Sequence, residues 1–366
     1  MTVSISGTNG LIFNDASTQN TSAFTGGFAF RNRIINGAMV IDQRNAGASV
    51  ILTTSTYTVD RFRCIEDSDG GMTGQQDSSA PEGFTNSLKI TTTTADASLT
   101  GTQFCSVEQF IEGHNVADLG WGTANAKTVT LSFWVRSSLT GTFGGALHNS
   151  AHDRSYPFTY SISVADTWEY KTITISGDTS GTWLKTTGRG IAVRFGLGVG
   201  STYSGTAGAW AAGTFISATG AVSVIGTLNA TWYITGVQLE KGSTATSFDY
   251  RPYSTELQLC QRYLPAITLT GGNPVCSAYI TSTTTAVGIF KFYVTPRTPP
   301  TGITATAASG FSFSSAANFT GSAIAFTDAS PVAGKFILTI SGGTAGQGGY
   351  IFGSNGAQIL FTGCEL

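Results

Sequence analysis

The stretch Thr128-Val-Thr-Leu-Ser-Phe-Trp-Val-Arg136 places an apolar side chain at every second position. Because successive side chains of a β-strand point to opposite faces, this pattern predicts a strand with one buried face. Similar period-2 runs follow at residues 171–175, 191–199 and 231–239, and the last is expected to place Tyr233, Val237 and Leu239 on one face. Strands of this kind predict two packed antiparallel sheets in an all-β, jelly-roll-like antiparallel sandwich.

The composition supports an all-β chain with little charge. Of the 366 residues, 41% are hydrophobic and only 11% are charged, against about 25% charged residues in an average soluble domain. Charged residues are depleted at interface cores, so low charge is consistent with an oligomer. A net charge of −2 without a basic stripe predicts no nucleic-acid partner. No apolar run approaches the roughly 20 residues that cross a bilayer, so no membrane insertion is expected, and residues 1–30 show no signal-peptide pattern.

Six polar and aromatic phrases occur in a fixed order along the chain. They are Gly10-Leu-Ile-Phe-Asn-Asp-Ala-Ser-Thr-Gln19, Arg33-Ile-Ile-Asn-Gly-Ala-Met-Val-Ile-Asp-Gln-Arg44, Tyr57-Thr-Val-Asp-Arg-Phe62, Gly236-Val-Gln-Leu-Glu-Lys-Gly242, Phe248-Asp-Tyr-Arg-Pro-Tyr253 and Glu256-Leu-Gln-Leu-Cys-Gln-Arg-Tyr263. This ordered set resembles bacteriophage tail-fibre and receptor-binding proteins with a carbohydrate-binding-module-like jelly-roll domain. The chain departs from that family at Asp42, where an aromatic residue is common, and at Ala16, where Gly is common.

The resemblance implies a virion appendage. Residues 1–31 would attach the chain to the virion tail or to other virion proteins, and the protein would be a homotrimer that binds a host surface polysaccharide. Assembly would take place in the host cytoplasm, and the mature protein would be part of the virion. The alternatives are a head fibre, capsid decoration or baseplate protein without receptor contact, and a glycan depolymerase.

Four segments are expected along the chain. Residues 1–31 form the attachment arm, either disordered or ordered as a hairpin or strand, and residues 32–253 form the sandwich. Residues 254–265 hold a linking helix, because Leu257, Cys260 and Tyr263 share an apolar face and Pro265 ends the pattern. Residues 266–366 form a small C-terminal β domain, the tip, with strands predicted at 277–280, 287–294, 311–313, 323–326, 335–340, 349–352 and 358–361.

Aromatic residues in turn-rich stretches are the candidate carbohydrate-binding residues. A sugar ring packs on an aromatic face while its hydroxyl groups meet polar side chains. The candidates are Trp168, Trp183, Tyr203 and Trp210, while Trp134 is assigned to the polar face of its strand. Packing at the rim of the sandwich or between subunits is the alternative for each of them.

No catalytic motif is found, so we expect no enzymatic activity and no catalytic residue. Glu240, at the end of a strand, is a candidate ligand for a structural calcium ion; no other cofactor is expected. His148 and His152 would lie in a loop, either solvated or sharing a metal. Asp60 with Arg61, and Asp249 with Arg251, are expected to form ion pairs. The five cysteines are expected to be buried and unpaired; for Cys364, near the end of the sequence, exposure is the alternative.

Overall fold

The computed structural model describes the backbone of residues 4–6, 10–12 and 18–19 and the whole of residues 30–366. The three N-terminal segments are strands β1 (Ser4–Ser6), β2 (Gly10–Ile12) and β3 (Thr18–Gln19). They pair in sequence order as a three-stranded antiparallel sheet. The remainder of the predicted attachment arm up to residue 29 lies outside the described residues, and its docking role stays a prediction.

The central part of the chain forms two sheets. The strands are β4 (Val50–Ile51), β5 (Thr56–Tyr57), β6 (Arg63–Asp67), β7 (Gly71–Asp77), β8 (Ser87–Thr94), β9 (Phe104–Glu112), β10 (Val129–Ser137), β11 (Gly141–His148), β12 (Arg154–Ile162), β13 (Glu169–Ile175), β14 (Arg189–Val199), β15 (Ser204–Gly205), β16 (Ala211–Ala212), β17 (Ser217–Ala218) and β18 (Thr231–Lys241). Two 3-10 helices, Gly113–Leu119 and Ser201–Tyr203, lie in the connections.

The two sheets pack face to face as the predicted jelly-roll-like sandwich. The first sheet has six strands in the order β13-β10-β18-β8-β7-β4, and the second has seven in the order β16-β12-β11-β14-β9-β6-β5. All pairings within both sheets are antiparallel, and the short β15–β17 pair outside them is parallel. The chain repeatedly crosses between the sheets, so that neighbours in a sheet are often distant in sequence. The all-β sandwich is therefore confirmed.

The alternation in β10 places its apolar side chains in the core. Val129, Leu131, Phe133 and Val135 are fully buried and belong to one large cluster that also contains Phe195 and Trp232 from other strands. Phe133 meets Phe195 edge-on at 5.0 Å between ring centroids. Each fully buried apolar side chain contributes about 1.5–3 kcal/mol of transfer free energy. The period-2 pattern of β10 therefore identified the buried face of the first sheet.

A β-bulge in β18 overturns one prediction. The pairing of β10 with β18 shifts register between Ser132 and Trp134, opposite Gly236, whose φ is +62°. One extra residue reverses the direction in which all earlier side chains of the strand point. Val237 is in the core as expected, but Tyr233 lies on the outer face under the guanidinium of Arg136. The prediction that Tyr233 shares a face with Val237 was wrong.

The linking helix α1 (Tyr253–Gln261) begins directly after Pro252, one residue before the predicted start. It packs on the segment that precedes the sandwich, where Ile35 and Ile41 form a small separate core with Cys260 and Tyr263. Among the described residues, no helix is both long and apolar enough to span a membrane.

Residues after the helix form a second β unit. Its strands are β19 (Ala266–Thr268), β20 (Pro274–Ser282), β21 (Thr285–Lys291), β22 (Gly302–Ala305), β23 (Phe311–Ser314), β24 (Asn318–Thr320), β25 (Ala323–Thr327), β26 (Ala333–Thr339), β27 (Gly348–Gly353) and β28 (Gln358–Thr362), with a 3-10 helix at Ala308–Gly310. Seven strands form one sheet in the order β24-β23-β27-β20-β21-β26-β25, and β19-β28-β22 form the other. The second β unit has its own hydrophobic core, which includes Phe311, Phe336 and Phe361. All seven predicted strands are present; β19, β22 and β24 were not predicted.

The ion pairs differ from those expected. Asp60 pairs with Arg44, whereas Arg61 pairs with Glu365 near the end of the chain. Arg251 pairs with Glu256 of the helix and not with Asp249. Asp60 and Arg61 lie in a turn, where Arg61 has a φ of +71°, and their side chains reach different partners. Adjacency in sequence is therefore a poor guide to pairing there.

All five cysteines are free, as expected. Four of them are buried, including Cys364, which excludes the alternative of an exposed Cys364; Cys276 is half-buried, so the prediction that it is buried was wrong. Burial raises the pKa of the Cys364 thiol to about 11.

Candidate functional site

A groove with a volume of about 710 Å³ lies on the outer face of the first sheet. This is within the range of about 300–1,000 Å³ that is usual for small-molecule sites. Strands β10, β13 and β18 form its floor, and residues 243–250, which follow β18, form its wall. One face of β10 is therefore buried in the core, and the opposite face of the same strand forms part of the groove floor.

Two aromatic rings lie at one end of the floor. Trp134 of β10 is directly opposite Tyr170 of β13 in the strand pairing. Their ring centroids are 5.4 Å apart with planes tilted by 47°. Tyr170 is 43% exposed and Trp134 is half-buried. The pair presents a solvent-accessible apolar surface on two rigid strands, as a platform for a flat apolar ligand face requires.

Three further rings line the same end from the wall. Phe84, Phe248 and Tyr250 contact one another, with centroid separations of 5.1 Å, 5.5 Å and 4.8 Å. The Tyr250 hydroxyl donates a hydrogen bond of 2.6 Å to the carbonyl of Gly83, which fixes the ring. The aromatic end of the groove is therefore bounded on two sides.

Gly236 sets the distance between the wall and the floor. A methyl group at its α-carbon would lie 2.7 Å from Cζ of Phe84 and 3.1 Å from Cδ1 of Trp134. Its φ of +62° is also a conformation that favours glycine. The bulge in β18 thus allows the Phe84 ring to approach Trp134 across the strand.

The other end of the groove is polar and uncharged. Thr172 and Thr174 of β13 are exposed, next to Ser132 and Thr130 of β10. The Thr174 hydroxyl donates to the carbonyl of Ser243 in the wall at 3.2 Å. Hydroxyl groups both donate and accept hydrogen bonds, so this end can meet ligand hydroxyl groups in either direction.

Glu240 holds the wall loop in place. Its carboxylate accepts hydrogen bonds from the backbone N–H and the hydroxyl of Thr246, both at 2.8 Å, and from Nε2 of Gln238 at 2.8 Å. The side chain is buried beside the groove and is not part of its lining. The predicted candidate Glu240 therefore positions the loop that bounds the groove.

Within the described part of the chain, no three His, Cys, Asp or Glu side chains form a group that could hold a metal ion. A structural calcium ion at Glu240 stays a prediction.

Trp168 is the predicted sugar-binding residue that lies nearest the groove. It immediately precedes β13 and meets Tyr233 edge-on at 6.1 Å between ring centroids. Tyr233 is on the outer face of the first sheet with Arg136, one row of side chains beyond Trp134. Trp168 is half-buried and lies beside the aromatic end of the groove without lining it.

Trp183 and Trp210 belong instead to a packed aromatic cluster. Each lies edge-on to the other and to Trp121, at 4.7–5.3 Å between ring centroids. Trp183 is only 7% exposed, so its expected position at an exposed loop tip was wrong. Their indole N–H groups donate to the carbonyls of Ser180 and Ser176, respectively. These contacts fix both rings, and Trp210 is half-buried, so a sugar-binding role for Trp210 stays a prediction.

Tyr203 ends a 3-10 helix, is half-buried and meets Phe104 of the second sheet edge-on at 5.4 Å between ring centroids; it does not line the groove. The groove's own aromatic residues were not among the predicted site residues. The signal was nevertheless present in the sequence, because Trp134 occupies a polar-face position of a clearly alternating strand. Tyr170 could not be found in this way, because its pairing with Trp134 depends on tertiary structure.

No protein-family model and no curated protein matches the sequence. Among solved structures, the chain is similar to the enzymatically active domain of tailspike protein 4 of bacteriophage CBA120, with 12% identity and a TM-score of 0.31 over 58% of this chain and 22% of that one. It is also similar to a CBM4 structure, with 19% identity and a TM-score of 0.28 over 57% of this chain and 98% of that one.

A third similar structure is a putative sugar-binding protein of Bacteroides thetaiotaomicron VPI-5482, with 11% identity and a TM-score of 0.33 over 58% of this chain and 100% of that one. The chain thus spans about a fifth of the tailspike chain but the whole length of the two smaller proteins. The fold is assigned from the strands and sheets described above.

Proposed function

We propose that this protein binds a polysaccharide in the groove on the outer face of the first sheet. The observation that carries the proposal is the pairing of two solvent-accessible aromatic rings, the half-buried Trp134 and the exposed Tyr170, with a floor of threonine and serine hydroxyl groups along the same two strands. The apolar face of a sugar ring can stack on the aromatic rings, and its hydroxyl groups can form hydrogen bonds with the threonine and serine hydroxyl groups.

The lining also indicates the charge of the ligand. Among the described residues that line the groove there is no Asp, Glu, Lys or Arg. A uronic acid or sulfate group placed there would lose its hydration without gaining a cationic partner, which is unfavourable. We infer that the groove takes an uncharged stretch of glycan.

We further propose that the protein binds without cleaving. Hydrolysis of a glycosidic bond generally requires two carboxyl groups on either side of the bond. The described lining lacks both, and the carboxylate of Glu240, which holds the wall loop, is engaged by Thr246 and Gln238. These observations support a binding role over a depolymerase.

The order of the sequence phrases supports a place for this groove on a phage tail fibre, as a homotrimer. Three copies on one particle would raise the apparent affinity of weak individual sites through effective concentration. A homotrimer predicts a solution mass of three times the 38.0 kDa chain. Immunogold labelling of virions would distinguish the proposals, because a tail fibre is labelled at the tail and a head fibre or capsid decoration at the capsid.

A glycan array tests the binding proposal. The full-length protein is compared with Trp134→Ala and with Trp168→Ala. We expect retention of neutral glycans by the wild-type protein, loss of that signal in Trp134→Ala and a partial decrease in Trp168→Ala. Absence of any neutral-glycan signal for the wild-type protein, or equal signals for all three proteins, would contradict the proposal.

A further inference from the structure

A cluster of cationic side chains lies on the outer face of the second sheet, on the opposite side of the sandwich from the groove. Arg194 of β14, Glu108 of β9 and Arg63 of β6 are aligned across three neighbouring strands. Glu108 is fully buried and bridges the guanidinium groups of both arginines. One carboxylate is thus shared between two cations.

A third arginine joins this cluster without an acidic partner. The guanidinium carbon of Arg189 lies 3.5 Å from the centroid of the Phe110 ring, and Arg63 lies 4.7 Å from the same centroid. Nη1 of Arg189 is 2.9 Å from Nε2 of His152. Among the described residues, Arg189 forms no salt bridge. Burial and the nearby Arg63 and Arg194 lower the pKa of Arg189 to about 10, which leaves it charged at neutral pH.

The two histidines add no positive charge at neutral pH. His148 ends β11 and is fully buried, so the prediction that it lies in a loop was wrong. Its ring packs against His152 at 4.5 Å between centroids. Burial and the arginines lower the pKa of His152 to about 4 and that of His148 well below its usual value. Nδ1 of His148 contacts the carbonyl of Asn149, and Nε2 is a buried atom without a partner among the described residues.

The cluster therefore carries an uncompensated positive charge. Arg63, Arg189 and Arg194 contribute three charges and Glu108 removes one, which leaves a surplus of two. Partly buried charges are costly unless they are paired. Arg63 and Arg189 are both half-buried and reach solvent, so a counter-ion can approach from outside.

We propose that this arginine cluster is a binding site for an oxyanion, that is, a carboxylate, sulfate or phosphate group. A planar guanidinium presents paired N–H donors that match the oxygens of such groups. Phe110 holds two guanidinium planes in fixed positions, so little side-chain entropy is lost when an anion binds. A free oxyanion and one carried by an acidic sugar share this chemistry of recognition.

The site is independent of the neutral groove, since it lies on the other sheet and shares no residue with it. It would give the protein affinity for an anionic substituent that the groove cannot accommodate.

Thermal unfolding of the full-length protein in sodium sulfate, compared with sodium chloride at equal ionic strength, tests the proposal. A ligand that binds only the folded state raises Tm with a saturable concentration dependence. We expect such saturation in millimolar sulfate for the wild-type protein and a midpoint at least tenfold higher for Arg189→Gln. The general stabilisation by sulfate is not saturable and is shared by all variants.

Arg136→Gln is the matched control. Arg136 also lies over an aromatic ring, that of Tyr233 at 5.0 Å, but it is on the first sheet and has Asp166 as its partner. Its sulfate response should equal that of the wild-type protein. Equal responses of the wild-type protein to sulfate and chloride, or an unchanged sulfate response in Arg189→Gln, would overturn the proposal.

Two further measurements separate the sources of the anion. A sulfated oligosaccharide and its desulfated form are titrated by calorimetry into the wild-type protein and into Trp134→Ala. Binding of the sulfated form alone, retained in Trp134→Ala, would assign the site to an acidic glycan, whereas a response to inorganic sulfate alone would assign it to a free ion. If Arg189→Gln changes the solution mass of the assembly, the counter-charge comes from a second copy and the proposal is wrong. If Arg189→Gln does not fold, Arg189→Lys takes its place in these measurements.

Discussion

The guanidinium carbon of Arg61 lies 3.6 Å from the centroid of the Tyr263 ring. Arg61 lies in the turn between β5 and β6 of the second sheet, and Tyr263 lies two residues after the end of the linking helix. The same guanidinium donates to the carbonyl of Phe110 at 2.6 Å and pairs with Glu365 near the end of the C-terminal unit. One buried side chain therefore connects the sandwich, the helix and the last residues of the chain.

Replacement of Glu365 by Gln should destabilise this junction. Arg61 has only 2% of its side chain exposed, so the variant would leave a buried cation without its carboxylate. Removal of one partner of a buried ion pair costs about 3–5 kcal/mol. Urea unfolding would measure the loss. The exposed pair of Lys335 with Asp328 is the control, and Lys335→Gln should cost less than about 1 kcal/mol. Equal effects would show that the Arg61 pair contributes no more than a surface pair.

Trp183 should matter for stability and not for glycan affinity. It is buried against Trp121 and Trp210, so Trp183→Ala would leave a cavity and cost about 3–5 kcal/mol. Trp183→Phe should recover part of that loss because an aromatic ring remains. Thermal unfolding and calorimetric glycan titration at a temperature where the variant is folded would check both statements. A stable Trp183→Ala protein that has lost glycan binding would instead assign Trp183 to the sugar site.

Gly236→Ala should weaken glycan binding by moving the Phe84 ring. The new methyl group would clash with Phe84, and a non-glycine residue at positive φ costs about 1–2 kcal/mol. Gly220→Ala is the matched control, because Gly220 has a φ of +79° but no atom within 4 Å of the added methyl group. Both variants should lose stability, and only Gly236→Ala should lose affinity. Equal affinities would show that the spacing of Phe84 and Trp134 is unimportant.

The stability of the protein should depend on His152 in mildly acidic solution. The pKa of His152 is lowered from 6.5 to about 4, by burial and by Arg194, Arg189 and Arg63. Between these values the unfolded chain binds a proton that the folded protein does not, so stability falls as pH decreases from 6.5 towards 4. His152→Gln should therefore show a smaller decrease in urea midpoint between pH 7 and pH 4.5.

Comparison with the wild-type protein isolates this effect. Asp60 acts in the opposite direction, because burial raises its pKa from 3.8 to about 6, and a group of this kind gains stability as pH falls through that range. Asp60 is present in both proteins, so its contribution cancels. An identical pH profile for the two proteins would contradict the lowered pKa of His152.

The sequence was informative wherever a residue's environment follows from its own strand. The alternation around Leu131 and Phe133 predicted both the buried face and, through Trp134, the opposite one. The apolar spacing of Cys260 and Tyr263 located the helix to within a few residues. These features depend on local periodicity, which does not depend on how the rest of the chain folds.

Features that depend on two distant segments could not be predicted. The sequence around Gly236 did not indicate a bulge, nor that the bulge would reverse the direction in which the Tyr233 side chain points. Arg61 could have paired with any acidic residue, and its pairing with Glu365 depends on how the C-terminal unit packs. Aromatic residues in turn-rich stretches were expected at the surface, but Trp183 is buried and packs edge-on against Trp121. A turn that packs on the sandwich can bury its side chains.

Calorimetric titration of a neutral oligosaccharide, chosen from the array, into three full-length proteins tests the central claim most directly. The claim is that the groove floored by Trp134 and Tyr170 binds uncharged glycan. Loss of one aromatic stacking partner should weaken binding in Trp134→Ala by at least tenfold, which is about 1.4 kcal/mol. Arg189→Gln, on the opposite sheet, should bind like the wild-type protein. Equal affinity of Trp134→Ala and the wild-type protein would contradict the claim.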